Sequence, residues 1–422
     1  MTPRLGSELW SANDLLGRFL VLALGQVLAS VFGLLFWVVV GHHYTAEISG
    51  ILVTVASVSS LVSVLSMLGY QTSLVRFLPS EPRDAASRQE IVNFALTRNV
   101  LTSTIMGVIG LVLVYFTVEE FQASENAGLV LIISLVVVTS IASNTLLDSV
   151  FVGALRPGYV TGRVLVLGSS RILLLIAFNA LGLIGLLMAY AIPVVALIAI
   201  TIVLLMPITI TGYRYRFLVR LDAEMETFHR YSLHSYPADV LSSVSIAYFP
   251  LVVAVLSGAS DSAIFYVAWS IGSVIFIVPS AITVVLLAMS SERTDRFESL
   301  SKRVTVIGLC SIVACIVALL LLGRELLGLF GTLVSPDSFL TLILVAISGI
   351  PMLFSKRDIS ELRLRGILRP VVLINGVLTA LSLGLSVPFL AVFGIQGVAY
   401  AWLVSVSGAA ILARFYARSL PR

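Results

Sequence analysis

Gly153-Ala154-Leu155-Arg156-Pro157 opens a long apolar run that closes on the paired-glycine turn Gly182-Leu183-Ile184-Gly185. The chain then says the same thing again. The second copy opens on Gly366-Ile367-Leu368-Arg369-Pro370 and closes on Gly394-Ile395-Gln396-Gly397. The offset is 213 residues at the Arg-Pro pairs and 212 at the glycines, in a chain of 422. A second echo, Glu47-Ile48-Ser49-Gly50 against Asp261-Ser262-Ala263-Ile264, stands 214 residues apart. Matches of Leu and Val mean little in apolar sequence, but this punctuation at one shared spacing implies two homologous halves.

Composition names the solvent. Hydrophobic residues make up 59% of the chain and charged residues 11%, with a mean hydropathy of +1.07. A soluble core of this length cannot hide so much apolar surface, and a soluble surface needs more charge. The net charge of +4 is small and its basic residues are dispersed, so nucleic acid is not an expected partner. Cys310 and Cys315 share one apolar segment, which indicates neither a disulfide framework nor a metal site. The first apolar run is too long for a cleavable signal peptide.

Segments of about 20 apolar residues cross a bilayer as helices, and about twelve are expected. Their limits are 15–40, 48–74, 92–116, 127–151, 160–180 and 182–210, then 235–256, 263–289, 303–322, 338–355, 371–392 and 395–417. With the N-terminus inside, the inner loops collect groups such as Arg214, Arg216 and Arg220, or Lys356, Arg357, Arg363 and Arg365. The outer loops hold only Arg324. That asymmetry places both termini in the cytoplasm. The expected fold is an all-α integral membrane protein of the cell (cytoplasmic or inner) membrane. It comprises two six-helix bundles, 1–212 and 233–422, joined by a cytoplasmic linker, 213–232. No loop is long enough for a separate domain and there is no P-loop, so an enzyme is not expected.

Arg171 is the sharpest functional signal. It lies about eleven residues into the fifth expected helix, roughly 16 Å deep and near the midplane. Burying it costs about 2.5–3.5 kcal/mol, which a water-filled cavity with an anionic ligand, or an internal ion pair, would offset. Arg18 follows Asp14 by one helical turn, so it either pairs and snorkels or lines an inward cavity. Arg76, Arg98 and Arg163 flank inner helix ends as topology determinants or as a basic rim that attracts an anionic head group. Asp148 and Asp239 are paired carboxylates or ion-coupling sites, with His234 close enough in sequence to join Asp239. Gln26, Gln71, Asn144 and Asn179 either bind a sugar or tie helix to helix. Prolines such as Pro193, Pro207, Pro237, Pro250, Pro279, Pro351 and Pro388 free backbone carbonyls inside helices, concentrating bends where the halves meet. No organic cofactor or metal is expected, and coupling to H⁺ or Na⁺ stays open.

Twelve spans in two parallel halves resemble the multidrug/oligosaccharidyl-lipid/polysaccharide exporter superfamily, and within it the polysaccharide-biosynthesis oligosaccharide flippases. The residues that carry the likeness are Tyr44-Thr45-Ala46-Glu47-Ile48-Ser49-Gly50, Leu68-Gly69-Tyr70 with Leu74-Val75-Arg76-Phe77, and Phe393-Gly394-Ile395-Gln396-Gly397-Val398-Ala399. The resemblance implies a flippase that moves a polyprenyl-diphosphate-linked oligosaccharide from the inner to the outer leaflet by alternating access. It implies a central cationic cavity, with Arg171 and Arg18 in that role, and glycosyltransferases or a glycan polymerase as pathway partners. Arg171 has no basic counterpart in the second half, where Leu383-Gly384 stands. The rivals are an organic-cation antiporter, which wants carboxylates deep in its cavity, a membrane glycan polymerase or ligase, and a non-transporting scaffold.

Overall fold

The computed structural model describes residues 12–79, 85–124, 126–218, 223–290, 297–365 and 367–419. Among these, helices are the only regular structure, as lipid requires of a chain that must satisfy its backbone internally. The first six spans are α1 (Ala12–His43), α2 (Ala46–Ser66, resuming as Tyr70–Phe77), α3 (Ala85–Thr117), α4 (Ala127–Gly153), α5 (Pro157–Ala177) and α6 (Gly182–Ile200, resuming as Met206–Thr209). The next six are α7 (Ala223–Ser257), α8 (Ala259–Ser273, resuming as Ile277–Ser290), α9 (Phe297–Gly328), α10 (Ser338–Ile347 and Gly349–Leu364), α11 (Leu368–Phe393) and α12 (Ile395–Arg418). Eleven helices are long and apolar enough to cross a membrane, and twelve when α7, bent by 51° between Met225–Leu241 and Ser243–Ser257, counts as one. The chain is a multi-pass membrane protein.

The repeated punctuation is structural. Pro157 sits in the first turn of α5, where its missing N–H costs nothing. Gly182 and Gly394 both reverse the chain through one unusual backbone conformation, with φ 58° and ψ −136° at Gly182 and φ 61° and ψ −151° at Gly394. Side chains with a Cβ are excluded from this region. The hairpins they make, α5–α6 and α11–α12, therefore turn alike.

The bundle breaks where the sequence allows it. α2 does not run straight through 48–74 as expected. It stops at Ser66, turns through Leu68 (φ 47°) and Gly69 (φ 77°), and resumes at Tyr70. In α6, a π-helical turn at Thr201–Leu205 precedes Pro207, where the ring would otherwise strike the preceding turn. The expected linker 213–232 is only partly a loop. Tyr213 is buried and donates its hydroxyl to Asn93 Oδ1 at 2.8 Å, and α7 begins at Ala223, well ahead of the expected 235.

α2 and α8, the helices opened by the second sequence echo, pack against each other between the halves. Gly50 makes that crossing close, since a Cβ there would fall on the Ala259 carbonyl oxygen. At the same end, Glu120 accepts from the Ala259 N–H at 2.8 Å. Thr332 donates to the carbonyls of Gly41 and Tyr44 at 3.2 and 3.0 Å. The end away from the basic loops is thus shut. Gly182→Ala and Gly394→Ala are each expected to lower stability by about 1–3 kcal/mol and to do so alike. Thermal unfolding in detergent measures both, and a neutral effect at either position would show that its turn is not held in this conformation.

Candidate functional site

A cavity of about 870 Å³ lies between α1 and α8. α1 lines it with Gln26, Ser30, Gly33 and Trp37, whose spacing of four, three and four residues marks one helical face. α8 contributes Tyr266 and the hydroxyls of Ser270, Ser273 and Ser280. None of its described lining residues carries a charge at neutral pH. Small residues and hydroxyls make room and offer hydrogen bonds without the desolvation cost of an ion. The site suits a polar, uncharged group.

Aromatic rings floor the cavity at its shut end. Trp37 and Tyr266 stand 5.0 Å apart, centroid to centroid, and join α1 to α8. Phe36 packs beside Trp37 and reaches Tyr190 of α6 at 5.8 Å. Arg171 lies over the Tyr190 ring with its guanidinium carbon 3.7 Å from the centroid, a close cation–π contact. It also lies within Coulombic range of Tyr266. Its Nε is buried with no hydrogen-bond partner, and no carboxylate pairs with it among the described residues.

The depth expected for Arg171 needs correction. α5 starts at Pro157 and not at 160, so Arg171 sits about 21 Å along the helix, past its middle and toward the shut end. It stands behind the aromatic floor and not at the centre of the cavity. Arg18 lies on α1, but its side chain falls outside the described residues.

The three rim candidates separate. Arg163 is no rim group, because its side chain is only 3% exposed. It donates to Asp148 Oδ1 and to Asn144 Oδ1, both at 2.5 Å, and lies over the Phe151 ring. The pair ties α4 to α5 and gives Asp148 a structural role. Arg76 is exposed and stacks on Tyr231 of α7 at 4.3 Å. Arg98 lies over Phe94 on its own helix at 5.3 Å, near Tyr70 and His229.

Asp239 accepts from the Thr72 hydroxyl at 2.8 Å, which links α7 to the resumed part of α2. His234 does not join it; the ring is exposed and bonds the Arg230 carbonyl at 2.8 Å. Of the amide candidates, Gln26 lines the cavity, Asn144 holds Arg163, Asn179 bonds His43 and Gln71 is exposed. The sequence reading passed over Trp37, Tyr190, Tyr266 and the α8 serines. Their signal was present in the polar and small face of α1, Gln26-Ser30-Gly33-Trp37.

No family model and no curated protein matches the chain. Solved structures do. A multidrug resistance MATE family transporter of the MOP superfamily, inward-facing, is 17% identical with a TM-score of 0.68, covering 92% of this chain and 94% of that one. The lipid II flippase MurJ in an inward closed conformation is 13% identical with a TM-score of 0.74, covering 95% and 88%. A MOP superfamily transporter from Pyrococcus furiosus, described by the reverse polarity of its binding pocket, is 17% identical with a TM-score of 0.58, covering 94% and 93%. The chain shares the two-lobed helical bundle fold of these transporters and this flippase.

The Arg163–Asp148 pair makes a sharp expectation. Asp148→Asn strands a buried guanidinium and is expected to cost about 3–5 kcal/mol, and Arg163→Gln, which leaves a partly buried carboxylate, is expected to cost less. The double variant is expected to recover part of the loss, read as the melting temperature in detergent. A double variant that loses the sum of the two single losses would show that the two groups do not act as a pair.

Proposed function

We propose that this chain is a flippase that carries a polyprenyl-diphosphate-linked oligosaccharide from the inner to the outer leaflet by alternating access, for export of a surface polysaccharide or glycoconjugate. The observation that carries the reading is Arg171, a deep cation without a carboxylate partner among the described residues, set behind the aromatic floor of a hydroxyl-bearing cavity. A diphosphate and a hydrated glycan cannot cross hydrocarbon unaided. Gln26, Ser30, Ser270, Ser273 and Ser280 offer the sugar what water offered it. Arg171, with Arg18 as a second cation, draws the diphosphate, and the polyprenyl chain stays in the bilayer. In this reading the basic end of the bundle faces the cytoplasm, where glycosyltransferases supply the substrate. The halves 1–212 and 233–422 then rock about the α2–α8 contact to expose the cavity on the other side. Asp239, released from Thr72, is the group at which a proton or Na⁺ would couple the cycle.

The likeness to MATE transporters supports export of an organic cation equally well at the level of fold. Among the described residues the cavity lining offers no carboxylate, which argues against it, because a cation leaving water needs a counter-charge.

The test uses the host with the gene deleted and reads the leaflet that holds its lipid-linked glycans. Inner-leaflet accumulation is expected, with rescue by the wild type. Arg171→Ala is expected to lose about 10- to 100-fold in transport, the worth of a charge-assisted contact, with Arg171→Lys retaining part. Export unaffected by the deletion would remove the flippase reading. Full rescue by Arg171→Ala would remove the site.

A further inference from the structure

A second cavity, of about 820 Å³, lies on the back of the second half, between α10 and α12 at the end that carries the basic loops. We propose that it binds an anionic membrane phospholipid, with the phosphate on Arg414 and Arg418 and one acyl chain lying along the groove. The inference is independent of what the central cavity carries, and the two cavities share no residue.

One wall is a stripe on α12, Leu403, Ser407, Ile411 and Phe415, each a helical turn from the next. The other wall is Ile350 and Phe354 of α10. Ile411 and Phe415 are 72% and 66% exposed, so the groove opens to lipid and not to a core. Its volume falls within the range of roughly 300–1,000 Å³ typical of small-molecule sites. From Leu403 to Arg414 the helix rises about 16 Å, which matches half of the roughly 30 Å hydrocarbon core. The groove therefore has the depth of one leaflet.

Charge selects the head group. Arg414 and Arg418 stand one turn apart at the mouth. Arg418 has no ion-pair partner among the described residues. Arg414 touches Asp358 at 3.4 Å while 43% of its side chain stays exposed. The carboxylate behind it is only 2% exposed and is offset by Arg414 itself, which leaves Arg418 as the uncompensated charge at the mouth. Basic pockets between transmembrane helices at head-group level bind anionic lipids in this way.

The experiment measures lipids retained by the purified full-length protein through delipidation, by native mass spectrometry. Phosphatidylglycerol and phosphatidylcholine with the same acyl chains are compared. The expected result is one phosphatidylglycerol held in preference to phosphatidylcholine. Arg418→Gln is expected to weaken retention about fivefold, since a basic residue at the surface is worth about 1 kcal/mol to an anionic lipid. Ser407→Trp fills the groove while leaving both arginines, and is expected to abolish retention in a protein that still elutes as a folded particle. Equal retention of the two lipids overturns the proposal. So does retention unchanged by Arg418→Gln, or retention by a folded Ser407→Trp protein, which would mean head-group adsorption without a chain site.

Discussion

Hydrocarbon leaves a polar group nothing to fall back on, and each helix here has to answer that constraint within the protein. α2 shows the local answer. Thr54, Ser57, Ser59 and Ser60 each donate to the carbonyl one turn back, at 2.6–2.9 Å, so hydroxyls in a buried helix face need no outside partner. Arg163 shows the tertiary answer, where one guanidinium is fixed by a carboxylate and an amide oxygen of the neighbouring helix. Arg171 departs from both. Its charge is met by the face of a ring and by nothing ionic among the described residues.

The shut end follows from steric and polar details that act together. Gly50 lets α2 approach the start of α8. There Glu120 takes up one of the N–H groups that every helix leaves without an internal partner. The negative charge also suits the positive end of the α8 dipole. The close α2–α8 crossing and the cavity share one helix, α8, which packs tightly at its start and lines the cavity from Tyr266 onward.

Much of this was legible from punctuation. The Gly-x-x-Gly turns located the α5–α6 and α11–α12 hairpins because only glycine takes their backbone angles, so the residue type and the geometry are the same information. The span count followed from hydropathy. The break in α2 was not legible, because Leu68 carries a positive φ that its side chain does not advertise. The site was half legible. Arg171 announced itself as a charge in apolar sequence, but its true depth depended on a helix start fixed by Pro157. Arg163 and Arg98 look equivalent in sequence. Only the fold decides that Arg163 meets Asp148 in the interior. Aromatic residues such as Trp37 and Tyr266 are too common in membrane helices to stand out before the halves are brought together.

α7 carries a further consequence. Its first part is fastened to the first half by a row of contacts on α2: Tyr70 with His229 at 2.8 Å, Thr72 with Asp239 at 2.8 Å, Ser73 with Ser232 at 2.6 Å, and the Tyr236 hydroxyl on the Leu65 carbonyl at 2.8 Å. Its second part packs on α8 and α11, beyond the 51° bend. Beyond the bend Ser245 reaches the Thr379 hydroxyl of α11 at 3.5 Å, and Ser262 of α8 donates to the Pro250 carbonyl at 2.7 Å. One bent helix is thus stitched along its length to α2, α8 and α11, so a change in its angle would be felt by all three.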